Sequence, residues 1–141
     1  MTTATGCSRT VSSSVPIALV GFYTITPCRV FDTRWVPPAP AVPMAAGSTR
    51  VFPVPGQCGI PQGATAVAGN LTVTEPTAAG HMSIDPAGSP VPYTSSINYG
   101  AGQTRANNVL VGLGKNGDVA VDSGQLTGTA HLLFDVSGYF Q

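Results

Sequence analysis

The chain has 141 residues, six basic and six acidic side chains, no net charge, and 9% charged against 43% apolar residues. One domain of this length buries a full core without metal support. The balanced charge leaves no electrostatic footprint for nucleic acid or an anionic membrane, and the apolar content excludes disorder.

The polar remainder is mostly Thr, Ser, Gly, Asn and Pro rather than Lys and Glu, which is the surface style of an extracellular or cell-surface protein. Residues 1–20 read as an arm ahead of a domain at 21–141, polar in "MTTATGCSRTVSSS" and apolar in "VPIALV". The arm lacks the basic region followed by an apolar region that marks a signal peptide. The run "VPIALVGFYTI" is too short and interrupted to span a bilayer.

A first strand is expected over "YTITPCRVF". It runs into "TPCRVFDTR", residues 26–34, where an otherwise charge-poor chain gathers a cysteine, two arginines and an aspartate. Regular alternation puts Arg29 and Phe31 on one face and Val30 and Asp32 on the other. "RWVPPAPAVP" is too rich in proline to lie inside a sheet and reads as a surface loop, followed by a strand at "TRVFPV". "TAVAGNLTVT" places Val67, Leu71 and Val73 opposite Ala68, Asn70 and Thr72, the pattern of a half-buried strand. After the turn "EPTAAG", "HMSID" alternates Met82 and Ile84 against His81, Ser83 and Asp85. A second proline loop, "PAGSPVPY", precedes a strand at "SSINYG". "NNVLVGLGKNGDVAVDSG" reads as a hairpin, because Asn116-Gly117 suits a type I′ turn. The closing "TAHLLFDVSGYF" is long enough for a central strand. No stretch carries a helical stripe. Eight or nine strands punctuated by Gly and Pro predict an all-β fold, an antiparallel β-sandwich of jelly-roll type.

Three cysteines, Cys7, Cys28 and Cys58, show none of the CxxC spacing of zinc or thioredoxin-like sites, so no metal is expected. In an oxidising compartment the natural pair is Cys28 with Cys58, at the edges of predicted strands, with Cys7 left in the polar leader. Closing that loop stabilises the fold by roughly 3 to 4 kcal/mol in the chain-entropy model.

Signals for catalysis are weak. "GLGKNG" matches the dinucleotide fingerprint G-x-G-x-x-G but is followed by a strand where a helix is required. "NLT" fits a glycosylation sequon in mid-strand. His81 and His131 have no evident partner, and no Ser lies in a G-x-S-x-G elbow. The carboxylates Asp32, Glu75, Asp85, Asp118, Asp122 and Asp135 offer no distinctive pair. We therefore expect no enzyme, catalytic residue or cofactor. Arg29, Asp32 and Arg34 read better as a polar clasp tying the first strand to its proline loop. Trp35, Tyr93 and Tyr99 lie in or beside loops, where a flat ring can stack on a sugar or anchor a partner.

The ordered motifs "PCRVFDTR", "CGIP", "NLTV", "PAG", "SSIN", "GQTRAN" and "DVSGYF" resemble a β-rich module of secreted actinobacterial and acidobacterial proteins, over about residues 22–140. Such modules are usually appended to other extracellular domains. The resemblance implies a stalk, adhesive or binding role rather than catalysis. It also singles out Arg29, Asp32, Arg34, Asn70, Asn98 and Asp135, and it matches Cys28 and Cys58 to a disulfide-bearing branch. Two functions follow as expectations. One is a noncatalytic extracellular module binding polysaccharide or a surface protein through Trp35, Tyr93, Asn98 and Tyr99. The other is a self-assembling structural subunit, filament or surface layer, that uses residues 1–20 as an added strand to form a homo-oligomer.

Overall fold

The computed structural model describes residues 20–35 and 42–141. The predicted arm, apart from Val20, and the centre of the first proline loop lie outside the described residues. Among the described residues nine strands run in chain order: β1 (Phe22–Asp32), β2 (Met44–Ala45), β3 (Thr49–Pro53), β4 (Ala66–Thr74), β5 (Gly80–Pro86), β6 (Ile97–Tyr99), β7 (Arg105–Gly112), β8 (Asp118–Ser123) and β9 (Thr129–Phe140). There is no helix among the described residues.

Two antiparallel sheets pack face to face. The first has the order β1-β9-β4-β7, with β2 continuing the β1 edge along the start of β9; the second has the order β3-β8-β5-β6. Setting aside the two-residue β2, the eight main strands pair first with last, second with seventh, third with sixth and fourth with fifth. This nesting is one long antiparallel hairpin wound onto itself, the topology of a jelly roll.

Period-two burial builds the core. Val67, Leu71 and Val73 of β4, Met82 and Ile84 of β5, Val119 and Val121 of β8, and Leu132, Phe134 and Val136 of β9 fill the space between the sheets. Phe31 stacks on Phe52 with centroids 3.9 Å apart, joining the edge strand of one sheet to that of the other. β9 is the central strand, flanked by β4 on one side and by β1 and β2 on the other. Pro27 falls where the β1–β9 register shifts between Thr24 and Cys28. It sits on an edge strand at a gap in the ladder, where a residue without an N–H is tolerated.

Two expectations are corrected. Asn116-Gly117 does not close a hairpin: β7 pairs with β4 in the first sheet, while β8 pairs with β3 and β5 in the second. The turn at Gly114 to Gly117, with Gly117 at φ 83°, carries the chain from one sheet to the other. The Asn-Gly turn signal is local, whereas winding the jelly roll makes these neighbouring strands change sheets. Simple alternation also fails at the end of β1. A register shift between Arg29 and Phe31 turns Phe31 into the core and leaves Arg29 on the outer face beside Asp32.

Candidate functional site

The outer side of the β1 end is built around one buried carboxylate. Asp32 has no exposed surface. Its Oδ1 accepts from the backbone N–H of Arg34 at 3.0 Å and from Arg34 Nε at 2.9 Å. Its Oδ2 accepts from Arg34 Nη2 at 2.7 Å, Trp35 Nε1 at 2.9 Å and Arg29 Nη1 at 3.1 Å. The hydrogen bonds from Arg34 outweigh the burial and hold this carboxyl well below the usual carboxylate range. Asp32 stays ionised at neutral pH and is fully engaged as an acceptor.

Arg29 spans two carboxylates. It forks onto its cross-strand partner Asp135, Nε to Oδ1 at 2.8 Å and Nη2 to Oδ2 at 2.9 Å, and turns Nη1 to Asp32. The bond to Asp135 raises the Arg29 pKa further, and the bond to Asp32 does the same for Arg34. Between the two arginines, Thr33 is fully buried and closes the strand end: its N–H donates to the Leu132 carbonyl, its Oγ1 accepts from the Leu132 N–H, and the same oxygen lies 2.9 Å from His131 Nδ1. Within the D-T-R triplet, Asp32 and Arg34 thus pair with each other while Thr33 is tied to β9.

Trp35 stands at the rim of this clasp. Its indole N–H is tied to Asp32 and its backbone N–H donates to the Asp32 carbonyl at 3.3 Å. The Arg34 guanidinium carbon lies 5.8 Å from the ring centroid, yet 70% of the residue faces solvent. The result is a flat apolar ring fixed in place and open on its surface.

The other expected ligand residues do not join it. Tyr93 is fully exposed in the β5–β6 connection, and Asn98 is exposed on β6 with its amide donating to Ser95 Oγ at 2.9 Å. Asn98 belongs to the β6 edge, which lies beside β7 on the far side of the sandwich from β1, and Tyr93 lies in the connection that leads to it. Tyr99 must be withdrawn from the surface set. Its inward register on β6 leaves it 6% exposed, its hydroxyl donates to Gln125 Oε1 at 2.9 Å, and burial pushes its pKa up to about 12. Asn70 sits on the outer face between Asp135 and Asn108, its amide directed to Thr72 Oγ1.

Cys28 and Cys58 form the expected disulfide, which fastens the middle of β1 to the turn after β3. Sequence reasoning missed the indole hydrogen bond to Asp32 and the Thr33–His131 contact. It also missed the outer face of the second sheet, where Ser83, Ala120 and Asp122 point outward by register but are buried. The β5–β6 connection folds back there, with Ser83 Oγ donating to the Thr94 carbonyl and the Ile84 N–H to Ser96 Oγ. Asp122 accepts from Thr49, while Asp85 Oδ2 is buried without a partner. Burial, and then the charge of Asp122, raises the Asp85 pKa. No cleft opens among the described residues, and no three of their His, Cys, Asp or Glu side chains converge as metal ligands.

No protein-family model matches this sequence, and no curated protein matches it significantly.

Proposed function

We propose that the protein is a noncatalytic extracellular module that binds polysaccharide on an open aromatic platform centred on Trp35. One observation carries this reading: the Trp35 ring is 70% exposed while its indole N–H is fixed to Asp32. An apolar ring held open to water is available as a binding surface, and holding it rigid lowers the ordering penalty on association. Sugar rings present flat C–H faces suited to such a platform, and Arg29, Arg34 and Asp135 line its border with polar groups for sugar hydroxyls. Tyr93 in the β5–β6 connection and Asn98 on β6 are exposed apart from Trp35 and are suited to a second contact on a long chain or on a surface protein. Asp32, saturated by hydrogen bonds and held ionised, is a poor proton carrier, which favours binding over hydrolysis. The disulfide fits an oxidising, extracellular setting. The reading is tested by retention on insoluble polysaccharides and glycan arrays against an unrelated β-sandwich; equal retention would remove it.

A second reading is a self-assembling structural subunit that adds its N-terminal arm to a neighbour's open edge. Its support is the near-neutral surface and the open β7 strand. Loss of assembly on deleting residues 1–20 would support it, and an unchanged oligomeric state would remove it.

A further inference from the structure

Among the described residues the sandwich has four edge strands, and three of them are blunted. β1 carries Pro27 and two register shifts, β3 has five residues with Arg50 and Pro53 among them, and β6 has only three residues. Proline, bulges, charge and short length are the devices that keep edges from pairing with other chains. β7 has none of them in its body. Its eight residues, Arg105–Gly112, pair with β4 without a register shift, and its one charge lies at the first position. Arg105, Ala106, Asn107 and Asn108 are exposed, and Leu110 is 67% exposed on the outer face. Alternate residues of an antiparallel edge direct their N–H and C=O groups away from the sheet, so β7 offers an open ladder about 27 Å long at 3.4 Å per residue.

We infer that β7 is an interface for a second copy of this chain, pairing antiparallel with its own counterpart about a two-fold axis at Asn108. In this register Asn108 faces the partner copy's Asn108, and an amide that both donates and accepts is complementary to itself. Ala106 faces Leu110, small against large, and Asn107 faces Val109. Arg105 falls opposite Val111, so the only charges on the strand do not meet. Within the chain, the Asn107 amide donates to the Ser96 carbonyl at 2.8 Å, which fixes the inner side of this edge against the second sheet and leaves its outward ladder free. The two first sheets would join into one continuous eight-stranded sheet. The inference is independent of the Trp35 reading and competes with the arm reading for the same edge.

The test uses the full chain and two variants, Asn108→Lys and Asn108→Asp, by sedimentation equilibrium, with thermal melts to verify folding. Asn108 is exposed, so both variants should keep the fold. The wild-type chain is expected to dimerise. Each variant alone should dimerise at least tenfold more weakly, because like charges then face each other. An equimolar mixture of the two should recover dimers, each containing one copy of either variant. A monomeric wild type, dimers indifferent to both substitutions, or no recovery on mixing would each overturn the proposal. Indifference or failed recovery is also the result expected if the arm, rather than a second β7, occupied this edge.

Discussion

Trp35 and Arg29 hydrogen-bond to the same oxygen of Asp32, the indole N–H at 2.9 Å and the guanidinium at 3.1 Å, although Arg29 stands on β1 and Trp35 beyond its end. One buried carboxylate therefore fixes both the strand and the aromatic ring proposed to carry binding. Replacing Asp32 by Ala removes five acceptor contacts and leaves Arg34, the indole and one Arg29 nitrogen without them, while Arg29 keeps its fork on Asp135. Loss of one partner of a buried pair ordinarily costs about 3 to 5 kcal/mol. With both arginines about one third exposed, solvent compensates part of this, and about 2 to 3 kcal/mol is expected in urea unfolding. Trp35, the only tryptophan, should gain mobility, read as lower fluorescence anisotropy.

The pH dependence follows from the same carboxyl. Its folded pKa is depressed, so its stabilisation is fully present above the unfolded value of about 3.9 and is lost progressively as pH falls below it. Melting temperature should hold from pH 7 to about pH 4 and then drop, and Asp32→Asn should flatten the drop. An equally steep acid drop in the variant would assign the effect to other groups.

Asp85 has the opposite sign. Its folded pKa is raised by burial, so its ionised form burdens the fold at neutral pH, and the burden lifts as pH falls through that raised value. Asp85→Asn should stabilise the protein at pH 7 by up to about 1 kcal/mol. The gain should vanish at acid pH, where wild-type Asp85 is already neutral; paired thermal melts at pH 7 and pH 3.5 check both signs.

Thr33→Val keeps shape and removes the acceptor for the Leu132 N–H. An orphaned buried donor costs about 1 to 3 kcal/mol, and Thr33→Ser, which keeps the hydroxyl, should recover most of it. Chemical denaturation of the two variants separates the hydrogen bond from packing. Removing the disulfide by Cys28→Ser with Cys58→Ser should cost roughly 3 kcal/mol on the same assay.

Much of the fold was legible because each strand buries one face. Val67, Leu71 and Val73 on β4, and Ala130, Leu132, Phe134 and Val136 on β9, announce both strand and core by alternation alone. The disulfide could be read because Cys28 and Cys58 lie at the edges of expected strands while Cys7 lies in the polar leader, and the clasp because Arg29, Asp32 and Arg34 crowd a charge-poor chain. What failed depends on distant parts of the molecule. The sheet to which β8 belongs is decided by winding, so Asn116-Gly117 misled. Register decided Tyr99, which alternation places with Ile97 in the core despite its position beside a turn. The bulge at Val30 set Arg29 beside Asp32 and Phe31 inside, and no pattern in "CRVFD" marks that extra residue. Ser83 was expected opposite the core, on a face that a returning connection then buried together with Asp122.

The most direct measurement is retention of wild type and Trp35→Ala on a panel of insoluble polysaccharides, with melting curves for both. Trp35→Ala gives up one hydrogen bond to the buried Asp32 carboxylate, so the substitution should lower stability by about 1.5 to 3 kcal/mol and leave the domain folded. The account predicts that wild type is retained on at least one polysaccharide and that Trp35→Ala loses at least tenfold in affinity while remaining folded. Undiminished retention in a folded Trp35→Ala, or no retention of wild type above an unrelated β-sandwich, would contradict it.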